Sequence, residues 1–220
     1  MLVKNELESR GCIYNGHFIG TSGAHLSGYC NLDPLMPHAG LLSDLVKLMV
    51  EPFIDSGVET ILVPAVGAIP LAHWGAYHLT KTNNYEVYGV WADKIKPKGF
   101  AIERSGFLEK VEGKRVLILE DFVNKMYSVK ELVKLVNGAG GTPIGVAAIA
   151  ANKGAKADAI GVPRFVKLTT VAYETWSEDE CMKTGLCHKK IPIVEDIGHG
   201  DEFKLRFPKY VGGFTELLKN

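Results

Sequence analysis

The sequence predicts an α/β fold with a mainly parallel central sheet of about five strands covered by helices on both faces. Three features carry that expectation. Val116, Leu117, Ile118 and Leu119 form an uninterrupted apolar run of the kind found in strands buried on both faces. The run is followed by the acidic pair Glu120 and Asp121, a short loop, and a segment of helical period. Other strand-like runs recur along the chain with helix-length segments between several of them, which suits a parallel sheet better than a sandwich.

Taken in order, residues 2–10 predict a short helix ending near Gly11. The stretch 11–30 is dense in Gly, Ser and His and alternates weakly, so it predicts short strands and turns forming a small N-terminal hood. Residues 40–55 are amphipathic, with Leu41, Leu42, Leu45, Leu48, Met49 and Phe53 apolar, and predict a helix. Thr60–Val63 is the next strand. Residues 64–70 are a turn of small residues whose backbone amides can hold an anion, leading into a helix to about Thr80. Residues 86–91 are a third strand. The charged stretch 92–113, with Lys94, Lys96, Lys98, Arg104 and Lys110, predicts a long loop or a two-stranded excursion at the sheet's edge, either solvated or facing a polyphosphate. From Ser128 to Val136, the apolar residues Val129, Leu132, Val133, Leu135 and Val136 follow a rough 3.6 period, Ser128 with Glu131 three residues on offers an N-cap, and Gly138, Gly140 and Gly141 close the helix. Strands at 143–150 and 165–171 complete the sheet. Beyond Trp176 the chain reads as irregular. Cys181 and Cys187 lie too far apart, with no second pair nearby, to suggest zinc, and read as structural cysteines.

Carboxylates at the carboxyl end of a central parallel strand lie where open α/β sheets bind ligands, although strand-end acids also occur for solubility alone. Composition narrows the partners. With Lys+Arg 25 and Asp+Glu 25 the net charge is zero, which argues against a broad footprint for nucleic acid or an anionic membrane and favours small molecules. The 220 residues, 46% hydrophobic, suit a single domain: a hood at 1–40, a core at 41–175 and a tail at 176–220. Four unevenly spaced cysteines and the absence of an apolar leader suggest a reduced, cytoplasmic protein.

Gly16–His25, Val63–Gly67, Trp91–Lys94, Arg104–Phe107, Gly113–Asp121 and Cys181–Ile193 occur in an order and spacing that resemble the type I phosphoribosyltransferases, and most closely their orotate phosphoribosyltransferase-like branch. The resemblance implies a type I phosphoribosyltransferase fold, PRPP and a nitrogenous base as substrates, Mg²⁺ held mainly through PRPP with no direct protein ligand, and a homodimer. It implies that Glu120 and Asp121 hold the ribose and Lys94 neutralises the leaving pyrophosphate. Ala65, Val66, Gly67 and Ala68 would bind that pyrophosphate with Lys96, Lys98 and Arg104, while Asn124, Lys125, Met126, Tyr127 and Ser128 would meet the 5-phosphate. Phe18, Ser22, Gly23, Asn152 and Lys153 would meet the base.

Two departures sharpen the reading. The 5-phosphate loop lacks the family's paired glycines, having Met126 and Tyr127 there. Bulky residues resist left-handed backbone, so the loop is expected to bind phosphate weakly if these side chains turn inward. Ala151 and Asn152, with Lys153 adjacent, stand where orotate enzymes have an Asp-Arg pair whose Arg meets the orotate carboxylate, so a base other than orotate is expected. A catalytically silent PRPP- or nucleotide-binding paralogue is the alternative.

Overall fold

The computed structural model describes residues 3–20, 22–95 and 99–217. In chain order the elements are α1 (Val3–Ser9), β1 (Ile13–Ile19), β2 (His25–Cys30), α2 (Ala39–Val50), β3 (Thr60–Pro64), α3 (Ile69–Asn83), β4 (Tyr88–Lys94), β5 (Phe100–Ala101), β6 (Arg115–Val123) and α4 (Tyr127–Gly138). There follow β7 (Thr142–Asn152), α5 (Ala157–Ile160), β8 (Phe165–Val171), β9 (Thr175–Trp176), α6 (Glu178–Lys183), β10 (Ile193–Gly198), α7 (Gly200–Arg206) and β11 (Phe214–Thr215). They divide into two compact units, the first comprising Met1–Arg10 and Leu32–Val171, the second Gly11–Asn31 and Ala172–Asn220. Among the described residues no helix is long and apolar enough to cross a membrane.

The first unit is built on a six-stranded sheet in the order β5-β4-β3-β6-β7-β8. All its pairings are parallel except β4 with β5, so the basic stretch after β4 is the two-stranded excursion at the sheet edge. Strand β6 lies between β3 and β7, and Val116 to Leu119 are fully buried as their unbroken apolarity requires. Helix α4 covers one face by burying Val129, Leu132, Val133 and Val136, each contributing about 1.5–3 kcal/mol. Helix α3 lies close to β4 because Gly89 has no side chain: a Cβ there would stand 2.8 Å from the Ala72 carbonyl oxygen. Parallel strands bring the carboxyl ends of β3, β4, β6 and β7 to one edge of the sheet.

The second unit is a five-stranded sheet in the order β11-β10-β1-β2-β9. The hairpin β1–β2 is antiparallel, and β10 joins β1 in parallel. Residues 176–220, irregular on their sequence alone, thus supply β10, β11, α6 and α7 to the same sheet as the N-terminal hairpin. Its apolar packing includes two small clusters, one of Phe18, Leu26, Val194 and Ile197, the other of Ile19, Ile193 and Phe203.

Candidate functional site

At the carboxyl edge of the first unit's sheet lies a cavity of about 120 Å³. Ala65, Gly67 and Ala68 of the β3–α3 turn, Lys94 at the end of β4, Glu120 and Asp121 of β6, and Ser128 of α4 all line it. The turn is compact: the Ala65–Val66 peptide is cis, and α3 begins at Ile69 with no side chain capping its first amides. The Ala65 amide donates to the Ala92 carbonyl at 2.8 Å, so this end of the turn is tied to β4. A methyl group at Gly67 would stand 3.8 Å from both an Asp121 and an Asp33 carboxylate oxygen. Asp33 therefore faces the turn from the 3₁₀ helix Asp33–Leu35, a neighbour the sequence did not suggest because nothing in its local pattern joins it to residue 67.

Glu120 is 7% exposed while Asp121 is half-buried. Burial, and then the adjacent Asp121 charge, push the Glu120 carboxyl well above the usual carboxylate range, and Lys94 opposes that only in part. The Asp121 amide donates to Glu120 Oε1 at 3.3 Å, and the Phe122 amide donates to Asp121 Oδ1 at 2.6 Å. The pair thus combines a buried carboxyl shifted toward its protonated form with a partner that is more accessible. Such a pair can both donate to and accept from neighbouring hydroxyls.

A second cavity of about 120 Å³ shares Glu120 and is otherwise walled by the 122–129 segment, including Lys125, Met126, Tyr127 and Ser128. Met126 adopts φ 58, the left-handed conformation that glycine takes without strain, and its side chain packs partly buried against the sheet's apolar cluster. Tyr127 opens α4 with 37% of its surface exposed, so its ring is turned substantially toward solvent. Helix α4 has no side-chain cap on its first turn, and its N-terminus carries partial positive charge toward this cavity's wall. Asn152 Nδ2 donates to Asn124 Oδ1 at 3.3 Å, joining the ends of β6 and β7.

No family model matches the chain. An orotate phosphoribosyltransferase of Caldicellulosiruptor saccharolyticus is 31% identical over 185 residues, which span 83% of this chain and 88% of that protein. The chain belongs to the orotate phosphoribosyltransferase family. A Thermotoga maritima member of the family is 31% identical over 203 residues, 90% of this chain and 99% of that protein. The crystal structure of the Mycobacterium tuberculosis H37Rv member shares the fold, with a TM-score of 0.58 at 21% identity over 76% of this chain and 95% of that one. The resemblance expected from the motifs, and the type I phosphoribosyltransferase fold class, are thereby borne out.

Other residues expected to act in this family's chemistry are placed variously. Arg104 lies 4.0 Å from Asp93 and its guanidinium sits 5.7 Å above the Trp91 ring, so it is engaged on the sheet edge and does not line the cavity. Lys96 and Lys98 lie outside the described residues. Lys153 is exposed just beyond β7. In the second unit, Ser22 and Gly23 form the exposed tip of the β1–β2 hairpin. Phe18 has no exposed surface and packs against Leu26 and Val194 in the apolar core of that unit.

Proposed function

We propose that this chain transfers ribose 5-phosphate from PRPP to a nitrogenous base and releases pyrophosphate. The observation that carries the reading is the first cavity, where the small-residue turn after β3, a lysine at the end of β4 and an acidic pair in the carboxyl half of β6 line one space. In the reaction a base nitrogen forms a bond to ribose C1 as the C1–oxygen bond to pyrophosphate breaks. The turn from Val66 to Ala68 and Lys94 take the leaving pyrophosphate. Glu120 and Asp121 hold the ribose hydroxyls, and Asp121 places negative charge beside the cationic sugar of the transition state. Lys125, Ser128 and the start of α4 receive the 5-phosphate.

Mg²⁺ suits this donor set, because Asp33 and Asp121 present hard carboxylate oxygens at the Gly67 turn. The ion would be carried chiefly by PRPP, where it neutralises pyrophosphate charge and assists its departure. A homodimer and a cytoplasmic location belong to the same proposal.

The relatives named above act, by their names, on orotate, and they lend no support to a base other than orotate. That narrower expectation rests on Ala151 and Asn152, with Lys153 adjacent, alone. Orotate is therefore the first base to test. Calorimetric titration with PRPP and Mg²⁺, followed by a pyrophosphate-release screen over orotate, other pyrimidines and purines, is expected to show binding and turnover. PRPP binding with no release for any base would replace the enzymatic reading with a silent, PRPP-binding one. Release with orotate would end the expectation of a different base.

A further inference from the structure

The second unit contains a cluster that phosphoribosyl transfer does not use. His17, His25, Cys181 and Cys187 are all buried, and their ligand-type atoms all lie within 4.8 Å of one another. We infer that these four side chains bind one Zn²⁺ ion as a closed structural site.

Three local features bring them together. The β1–β2 register shifts between Asn15 and Phe18, and within that irregular step His17 lies beside His25. Helix α6, started by a capping box of Ser177 and Glu180, carries Cys181. The chain then folds back so that the amides of Gly185 and His188 both donate to the Cys181 carbonyl and the Cys187 amide donates to Cys181 Sγ at 3.2 Å. Only glycine fits at 185, where a Cβ would stand 2.8 Å from Cys181 Cα.

The spacing suits a tetrahedral ion. With metal–sulfur bonds of about 2.3 Å and metal–nitrogen bonds of about 2.0–2.1 Å, the edges of a Cys₂His₂ tetrahedron are roughly 3.3–3.8 Å. Cys181 Sγ lies 3.7 Å from His17 Nε2, and Cys187 Sγ lies 3.9 Å from His17 Nε2 and 3.4 Å from His25 Nδ1. The two imidazole nitrogens are closer, at 2.7 Å, and need to separate by roughly half an ångström to take an ion between them. His17 is already oriented as a ligand. Its Nδ1–H donates to the Ile191 carbonyl at 3.0 Å, a carbonyl that also accepts from the Tyr210 hydroxyl, which leaves Nε2 with its lone pair toward the cluster.

Energetics favour an ion over the bare cluster. Four polar side chains are withdrawn from water here, and His25 Nε2 has no hydrogen-bond partner. Two thiols would release their protons on binding, so that two thiolates, two neutral imidazoles and Zn²⁺ make a group of zero net charge, which is acceptable in an apolar interior. All four coordination positions are protein ligands, leaving none open for substrate, the mark of a structural and not a catalytic zinc. The site would tie the hairpin of residues 11–31 to residues 172–220, closing a loop of well over a hundred residues in a unit whose apolar clusters are small.

The test uses the full chain. Purified from zinc-supplemented medium and desalted, it is expected to hold about one zinc per chain. Reconstitution with Co²⁺ is expected to give strong visible d–d bands and a thiolate charge-transfer band, a signature that requires no variant. Cys181→Ser with Cys187→Ser should lose both metal and spectrum, while His188→Ala, an exposed neighbour, should keep them. Zinc well below one equivalent with a weak octahedral cobalt spectrum would overturn the inference. So would full metal retention in the double serine variant, or a Cys181–Cys187 disulfide in protein isolated with reductant and zinc.

Discussion

The two units gather polar side chains in opposite ways. The first collects hard oxygen donors and a lysine at the open edge of a parallel sheet, where the cavity lies beside exposed residues such as Lys94 and Val66. The second collects two imidazoles and two thiols in a closed interior with no more than 6% exposure at any of the four. An open oxygen-lined edge can admit and release a charged substrate with its own metal ion. A sealed nitrogen and sulfur cluster can hold an ion but cannot exchange ligands at it. The contrast assigns turnover to one unit and cohesion to the other, and each assignment can be broken separately.

The largest effect is expected at the acidic pair. Glu120→Gln together with Asp121→Asn should reduce kcat for pyrophosphate release by at least ~10²–10³, the usual consequence of removing a preorganised stabilising group. The melting temperature should not fall, because Glu120 is buried at the expense of its own ionisation. Turnover within a few-fold of the parent would mean that the pair merely ends a strand.

Why the first site was legible and the cluster was not follows from how each is encoded. Val116 to Asp121 is contiguous, and a run of four apolar residues before two acids announces both a buried strand and its ligand-facing end. The 64–70 turn is read the same way, from small residues between a strand and a helix. His17 and Cys181 are separated by most of the chain, and α6 and the 185–190 turn that close the cluster are too short to show a period. Spacing between Cys181 and Cys187 argued against zinc only because the other two ligands were sought nearby. Strands β9 and β11 have two residues each and are defined wholly by their partners, so beyond the short strands expected in 11–30 no local pattern foretold the second sheet.

Two glycines sharpen the comparison next. Gly185→Ala forces a methyl group to 2.8 Å from the Cys181 backbone, and overpacking of that kind costs about 1–3 kcal/mol. It should lower the melting temperature and the bound metal together. Gly67→Ala places its methyl at an ordinary 3.8 Å from the nearest atoms, two carboxylate oxygens, so stability should hold while PRPP affinity falls as the approach to the turn is narrowed. Differential scanning calorimetry with metal analysis, and calorimetric titration with PRPP, read the two outcomes. Loss of stability at residue 67, or none at residue 185, would reverse the contrast between an open and a closed site.

A smaller effect concerns pH. The folded-state value of Glu120 is raised above its ordinary 4.5, so as pH rises past that point the unfolded chain loses a proton that the folded chain keeps. Stability from this group is present at low pH and declines as pH rises toward the folded value, by at most about 1.4 kcal/mol per pH unit. Glu120→Gln removes that decline. Melting temperatures of parent and variant measured from pH 4.5 upward should therefore diverge in the variant's favour, and a constant difference would show that Glu120 ionises normally in the folded chain.

The smallest effect tests the loop whose glycines are missing. Met126 already holds the left-handed conformation that glycine would adopt there, and Tyr127 is turned outward, so the backbone of the 124–128 loop does not need glycine to reach its shape. What glycine would change is the strain, about 1–2 kcal/mol for a side chain in that region, set against the packing of Met126 on the apolar cluster. Substituting alanine and glycine separates the two. Met126→Ala and Met126→Gly lose the same packing, but only alanine keeps the Cβ that opposes φ 58, so the glycine variant should be the more stable by about 1 kcal/mol, somewhat offset by the entropy of its unfolded chain. PRPP affinity should differ little between them, since both share the loop path. Equal stability in urea titrations would mean that residue 126 is not left-handed in solution, and a tenfold rise in PRPP affinity on going to glycine would mean that side-chain bulk, and not backbone shape, limits this loop.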